Sequence, residues 1–266
     1  MIVNNKVTAA VTFFFICSGL TAQADLSARQ IAERSYEAGK LAGSESISTM
    51  IIVDSKQRER VRKIAQVSKL YDNGDTEKKL IRFLSPADVK GTGLLTFDYK
   101  DKDDDMWLYM PALRKTRRII SSEKAKNFMG SEFSYSDITP PTIADFHYKK
   151  LGERRVAGAL CWELEIIPIN EDIADENGFS KKISFIGRQD FVIRKVVYYD
   201  LDGELLKELE VREVMEVDTE NHKFRPVHMI MTNKQNNRKS ILKVEKIQLN
   251  PGVKDEYFTT RYLERE

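Results

Sequence analysis

The chain has 266 residues, with 43 Lys and Arg against 41 Asp and Glu and a formal net charge of +2. So even a balance leaves no electrostatic footprint for tracking a phosphate backbone, and nucleic acid is excluded as the expected partner. Two cysteines, Cys17 and Cys161, are too few for a disulfide framework.

Lys6 precedes an apolar run from Val7 to Leu20, and Ala22-Gln23-Ala24 follows it. This is the three-part pattern of a secretory signal, so cleavage is expected after Ala24, with residues 1–24 as signal peptide and residues 25–266 as a single β domain. The apolar run falls short of the ~20 residues that span a bilayer. Ile16 stands before Cys17 where a lipobox requires a small residue, so Cys17 is expected to leave with the signal. Cys161 then reads as a small buried hydrophobe on a strand.

Ser27-Ala28-Arg29-Gln30 is a capping box, flanked by Leu26 and Ile31 as a hydrophobic staple. The spacing predicts a helix from Ala28 to Leu41, stopped at Gly43. After it the apolar period becomes two. Ser46 to Val53, Arg58 to Leu70, Glu77 to Leu84, Thr92 to Tyr99, Asp105 to Met110 and Arg114 to Ile120 read as successive strands. Turn residues such as Asp72-Asn73-Gly74-Asp75 and Ser85-Pro86 join them, too briefly for crossover helices, so the sheet is expected to be antiparallel. Leu160 to Ile167, Ile183 to Ile186, Phe191 to Leu201, Glu204 to Val217, Phe224 to Asn233 and Ser240 to Leu249 continue the meander, with Asp202-Gly203 as a hairpin signal. The Phe191 to Leu201 strand is apolar on nearly both faces and is expected in the middle of the sheet, covered on both sides. Glu256 to Leu263, with Phe258 and Tyr262 four apart, is expected to close one end. The fold class is therefore mainly β, a curved antiparallel sheet or incomplete barrel closed by an N-terminal helix and loops.

Signatures of chemistry are scarce. No nucleophile elbow, phosphate-binding loop, zinc-protease motif or paired Cys-x-x-Cys occurs, and no metal or cofactor is expected. Asp145 and His147 would share a strand face, which a solvated pair explains better than a catalytic dyad. Asp101-Lys102-Asp103-Asp104-Asp105 resembles the start of a calcium loop, but Met106 takes the glycine position and Ala112 the final glutamate position. Arg114, Lys115, Arg117 and Arg118 form the densest basic patch, either a solvated strand face or a site for an anionic head group or acidic partner. The segment Asn127 to Asp137 puts Phe128, Met129, Phe133 and Tyr135 on a connection where polarity is the rule. They form either a plug in the fixed core or a movable lid over a cavity.

Three stretches resemble the LolA-like proteins, often labelled outer-membrane lipoprotein-sorting proteins. They are Arg82-Phe83-Leu84-Ser85-Pro86-Ala87-Asp88-Val89-Lys90-Gly91-Thr92-Gly93, Trp107-Leu108-Tyr109-Met110-Pro111-Ala112-Leu113-Arg114-Lys115 and Phe128-Met129-Gly130-Ser131-Glu132-Phe133-Ser134-Tyr135. The resemblance implies a non-catalytic periplasmic protein whose cavity takes lipid or lipoprotein acyl chains, with an inner-membrane RND-type transporter as a partner. An adaptor or sensor that binds a membrane protein is the competing expectation. Glu132 departs from the aspartate more usual in the motif, and the acidic insertion Asn170 to Gly178 lengthens one hairpin. Candidate cavity or lid residues are Leu95, Phe97, Met106, Trp107, Leu108, Tyr109, Met110, Phe128, Met129, Phe133, Tyr135 and Trp162. Met106, Leu108 and Met110 share one strand face, opposite Trp107 and Tyr109, and the pattern leaves open which of the two points inward.

Overall fold

The computed structural model describes residues 26–265, and the expected signal peptide and its cleavage site lie outside them. The chain opens with α1 (Ala28–Ala38), whose capping box forms as the sequence predicts. Ser27 Oγ accepts from Gln30 N at 3.2 Å, and Gln30 Oε1 accepts from Ser27 N at 2.9 Å. The helix ends earlier than expected, with Gly39 as C-cap. Gly43 opens the first strand instead, where the Asn250 carbonyl crowds it too closely for a side chain.

A first meander follows: β1 (Gly43–Val53), β2 (Glu59–Tyr71), β3 (Thr76–Ser85), β4 (Gly93–Tyr99), β5 (Asp105–Met110) and β6 (Lys115–Ile119). Residues 120–145, which contain the single-turn helix α2 (Tyr135–Ile138), lead to a second meander. It comprises β7 (Phe146–Val156), β8 (Ala159–Pro168), β9 (Lys181–Gly187), β10 (Ile193–Tyr199), β11 (Leu205–Asp218), β12 (Lys223–Asn233) and β13 (Lys239–Leu249). The hairpin between β8 and β9 carries α3 (Glu171–Asn177). The acidic insertion is therefore a helix, capped by Asn170, which accepts from Ile173 N at 2.9 Å, and ended by Gly178 at φ 74°. The chain finishes in α4 (Thr260–Leu263).

All thirteen strands form one antiparallel sheet in the order β6-β5-β4-β3-β2-β1-β13-β12-β11-β10-β9-β8-β7. β6 and β7 are its two edges and do not pair, so the barrel is incomplete. The strands nearest the chain ends meet in the centre, where β1 pairs with β13 from Ser44↔Leu249 to Val53↔Lys239. β10 lies fourth from the β7 edge, not in the middle. Its Val196 and Tyr198 are buried, whereas Val197 and Tyr199 on the other face are only half-buried, because no further layer covers the sheet there.

The sheet is strongly curled. β3 and β9 stand seven strands apart in the order, about 34 Å on a flat sheet at ~4.8 Å per strand. Side chains from both nevertheless line one cavity. The main core fills the concave face and draws on Ile31 of α1, Phe83, Leu94, Met106, Leu164 and Met231. A second, smaller core lies on the outer face of β3 to β5, where Leu80, Leu95 and Tyr109 are covered by Val253, Phe258 and Leu263. The C-terminal segment thus caps a face instead of closing an end. A Cβ on Gly93 would stand 2.6 Å from Leu263 Cδ1, so a larger residue there would force the buried Leu263 side chain to shift. Arg82 then caps the C-terminal carbonyls of α4, donating to Tyr262 O at 2.9 Å and Leu263 O at 3.2 Å.

Candidate functional site

Because consecutive strands β6 and β7 are opposite edges of the sheet, residues 120–145 cross the concave side as a strap. Its aromatic side chains Phe128, Phe133 and Tyr135 pack into the core. All three are buried, and the Phe128 ring packs on Phe83 at 5.7 Å and on Tyr135 at 5.6 Å between centroids. Met129 takes a left-handed backbone at φ 50°, and its carbonyl accepts from the Arg62 guanidinium. The polar groups of the strap are fastened to β11, β12 and β13. Glu132 N donates to Ser240 Oγ at 2.9 Å, and the buried Glu132 carboxylate accepts from Asn233 Nδ2 at 3.0 Å and pairs with Arg238 at 2.9 Å. Asp137 accepts from Lys207 Nζ at 2.5 Å and from Ser134 N and Oγ, each at 2.8 Å. Burial pushes the Asp137 carboxyl up, but the Lys207 ammonium and the Ser134 hydrogen bonds outweigh it and hold it below the usual carboxylate range.

Three cavities of 340, 310 and 240 Å³ lie between the curled sheet, α1 and the strap. They adjoin one another and have Arg225 in common. The largest is walled by Ala32 and Tyr36 of α1, Ile138 and Pro140 of the strap, Phe146 of β7 and Ile166 of β8. The second runs between β1, β12 and β13 past Val227, Met229 and Leu242. The third lies beneath the strap against Phe128 and Phe133 and is floored by Met50, Met229 and Met231, flexible side chains suited to an irregular occupant. The two larger volumes fall within the ~300–1,000 Å³ typical of small-molecule pockets.

Charged residues also reach the largest cavity. Lys79 lies 3.6 Å from Glu77 and 3.7 Å from Asp98, which together raise its pKa against the opposing effect of burial. Asp98 is itself buried, and burial pushes its carboxyl up to about 7; its one ammonium neighbour is too distant to reverse this, and Oδ1 has no hydrogen-bond partner. Burial pulls Lys182 down to about 8, with Asp137 opposing and Lys207 adding to the shift.

Residues 75–265 match a family model whose description reads "Uncharacterized protein". A putative outer membrane lipoprotein-sorting protein domain from Vibrio parahaemolyticus is 28% identical and superposes with a TM-score of 0.81, over 90% of this chain and 98% of that one. The chain belongs to the matched family, and it is LolA-like. A DUF1329 family protein from Desulfovibrio piger is also similar, at 27% identity and a TM-score of 0.81 over 89% of this chain and 97% of that one. A LolA superfamily protein from Nitrosomonas europaea, 19% identical with a TM-score of 0.66 over 90% of this chain and all of the other, shares the fold. No curated protein matches the chain.

Within this LolA-like frame the candidate residues separate. Met106, Leu108, Phe128, Phe133, Tyr135 and Trp162 belong to the concave core, and Met110 and Met129 pack against it. Of these, Phe128 and Phe133 line a cavity, the third. Leu95, Phe97, Trp107 and Tyr109 lie on the other side of the sheet, in or against the second core beneath the C-terminal segment. Both faces of β4 and β5 are apolar because both are covered, and that is why alternation alone did not orient them. The basic patch divides as well. Arg118 reaches Asp105 of the acidic tip, Arg117 pairs with Glu123 at 2.8 Å, and Arg114 and Lys115 are exposed at the start of edge strand β6. His147 is exposed on edge strand β7, while Asp145 precedes that strand in a short 3-10 turn. Among the described residues no helix is long and apolar enough to cross a membrane.

Sequence reasoning missed Lys182 and Arg225. Arg225 heads the apolar inward row Val227-Met229-Met231 on β12, and that was an available signal; Lys182 stands in the mixed row Lys182-Ser184-Ile186 on β9, which gave none.

Proposed function

We propose that the chain is a non-catalytic periplasmic carrier that shelters lipid or lipoprotein acyl chains beneath the strap. The observation that carries this reading is the run of three adjoining cavities, walled by apolar side chains from α1, the strap and both meanders. Each methylene moved from water into such a space contributes about 0.8 kcal/mol, so useful affinity arises from shape and burial alone. The likeness to a putative outer membrane lipoprotein-sorting domain supports the same role. Strand addition by an adaptor partner has less support, because the open edges carry charge: Lys115, Arg117 and Arg118 on β6, and Lys149, Arg154 and Arg155 on β7. An RND-type inner-membrane transporter is proposed as the source of the cargo, to be tested by in vivo cross-linking from the exposed Arg114 and Lys115.

The deciding experiment is titration of the purified protein with a fluorescent acyl probe, paired with native mass spectrometry of protein isolated from the periplasm. Saturable probe binding and a co-purified lipid mass are expected. A clean apo mass together with absence of probe binding refutes the carrier.

A further inference from the structure

The charges around the largest cavity do not cancel. Lys40 pairs with Glu37 at 2.7 Å, Lys79 lies near Glu77 and Asp98, and Asp137 is matched by Lys207. Lys182 and Arg225 are left over, since neither forms a salt bridge among the described residues. Arg225 donates to the Gly39 carbonyl, one hydrogen bond from a group with five N–H donors. Glu77, the carboxylate that acts on it electrostatically, is outside salt-bridge distance and engaged with Lys79. Lys182 rests against the rings of Phe179, Phe146 and Tyr198, at 4.9, 5.6 and 5.8 Å from their centroids. Contacts with aromatic faces shelter an ammonium but do not neutralise it. Asp137 acts on Lys182 from beyond salt-bridge distance and is itself engaged by Lys207, so two cations without a salt-bridge partner among the described residues, walled by low-dielectric side chains in one 340 Å³ space, form an arrangement that an anion completes.

We propose that this cavity takes amphiphiles with one anionic head group, a carboxylate or a phosphate, held between Arg225 and Lys182 while the acyl tail extends along the adjoining apolar cavities. The proposal rests on the carrier reading above and adds to it the polarity and place of the head. The guanidinium supplies a bidentate fork from β12, and the ammonium supplies a second charge from β9, three strands away in the same meander. A neutral lipid entering the same space would leave both cations desolvated and unpaired, a penalty that selects against it. Lys182, drawn down to about 8 by burial, loses its charge as pH rises through that value, so head-group capture weakens in alkaline solution.

The test compares cis-parinaric acid with its methyl ester on the full folded protein, and repeats both titrations with Arg225→Gln and Lys182→Gln. The acid is expected to bind about tenfold or more tightly than the ester near neutral pH, since a charge-assisted hydrogen bond contributes about 1.5–3 kcal/mol. Each substitution should remove most of that preference, weakening the acid while leaving the ester bound as tightly or more tightly, because one unpaired cation is gone. Raising the pH from about 7 to about 9.5 should weaken the acid and not the ester, and Lys182→Gln should abolish this step. The pH arm stands even if Arg225→Gln fails to fold. Displacement of the probe by a lysophosphatidic acid or a fatty acid, but not by a monoacylglycerol, supports the proposal and ranks phosphate against carboxylate. Equal binding of acid and ester overturns the head-group site and leaves the carrier intact, whereas absence of binding by both sinks the carrier itself. Inorganic phosphate binding as tightly as the lipid would mark a free-anion site and overturn the amphiphile.

Discussion

Replacing Phe128 with alanine tests whether the strap is packed as a plug. Phe128 is 1% exposed, and its ring meets Phe83 and Tyr135. Truncating a buried phenylalanine costs about 3–5 kcal/mol, part of it from lost aromatic pairing. One side of this ring borders the 240 Å³ cavity and already lacks packing partners, which places the expected loss near the lower end, about 3 kcal/mol. With a urea m-value near 3 kcal/mol/M for a chain of this size, the unfolding midpoint should fall by about 1 M. Leu113→Ala is the control, since Leu113 is 65% exposed and its loss should cost less than about 0.5 kcal/mol. A Phe128→Ala loss below about 1 kcal/mol would mean that the strap is not seated in solution, and the plug would give way to a lid.

Three further outcomes follow from the polar fastenings and the surface. Lys207→Met should destabilise the protein by about 3–5 kcal/mol because it strands the Asp137 carboxylate, and Asp137→Asn in the same chain should recover much of the loss, which a double-mutant cycle by urea unfolding measures. Asp98 is an acid with its folded pKa raised to about 7, so its contribution is most favourable below the unfolded carboxylate pKa and is lost as pH rises from about 4 through 7. Asp98→Asn should remove that decline, and identical pH profiles of melting temperature for the two proteins would refute the assignment. Glutamine at Arg114, Lys115, Arg117 and Arg118 together should cost no more than about 1 kcal/mol per ion pair lost, so a larger fall in melting temperature would show that the cluster is structural.

The architecture was legible wherever one face alternated with the other. The capping box, the strands from Ser46 to Ile120 and the Asp202-Gly203 turn all express local chemistry, and the structure places them within a few residues of expectation. β7 gave a weak signal because it is an edge: Lys149, Lys150, Glu153, Arg154 and Arg155 protect it from pairing and mask its period. α3 hid in an acidic run that reads as loop, although Asn170 and Gly178 mark its ends. What sequence could not supply were contacts made across the whole chain. Leu95 and Tyr109 meet Phe258 and Leu263 some 150 residues later, and the Lys182 charge acquires meaning only when β12 brings Arg225 to the same cavity.

The β1–β13 seam sets the order in which this molecule can be finished. Ser44 and Leu249 are partners separated by nearly the entire chain, so the two meanders remain half-sheets until residues 239–249 are free to insert between β1 and β12. Pairing at such separation carries a large loop-closure entropy and is slow. Until it occurs, β1 and β12 each present an unpaired interior edge, the template on which sheets aggregate. Whatever releases the chain, ribosome or export channel, must deliver its last strand before the first can be shielded, and a helper that guards β1 in the meantime would act on yield and leave the finished protein's stability unchanged.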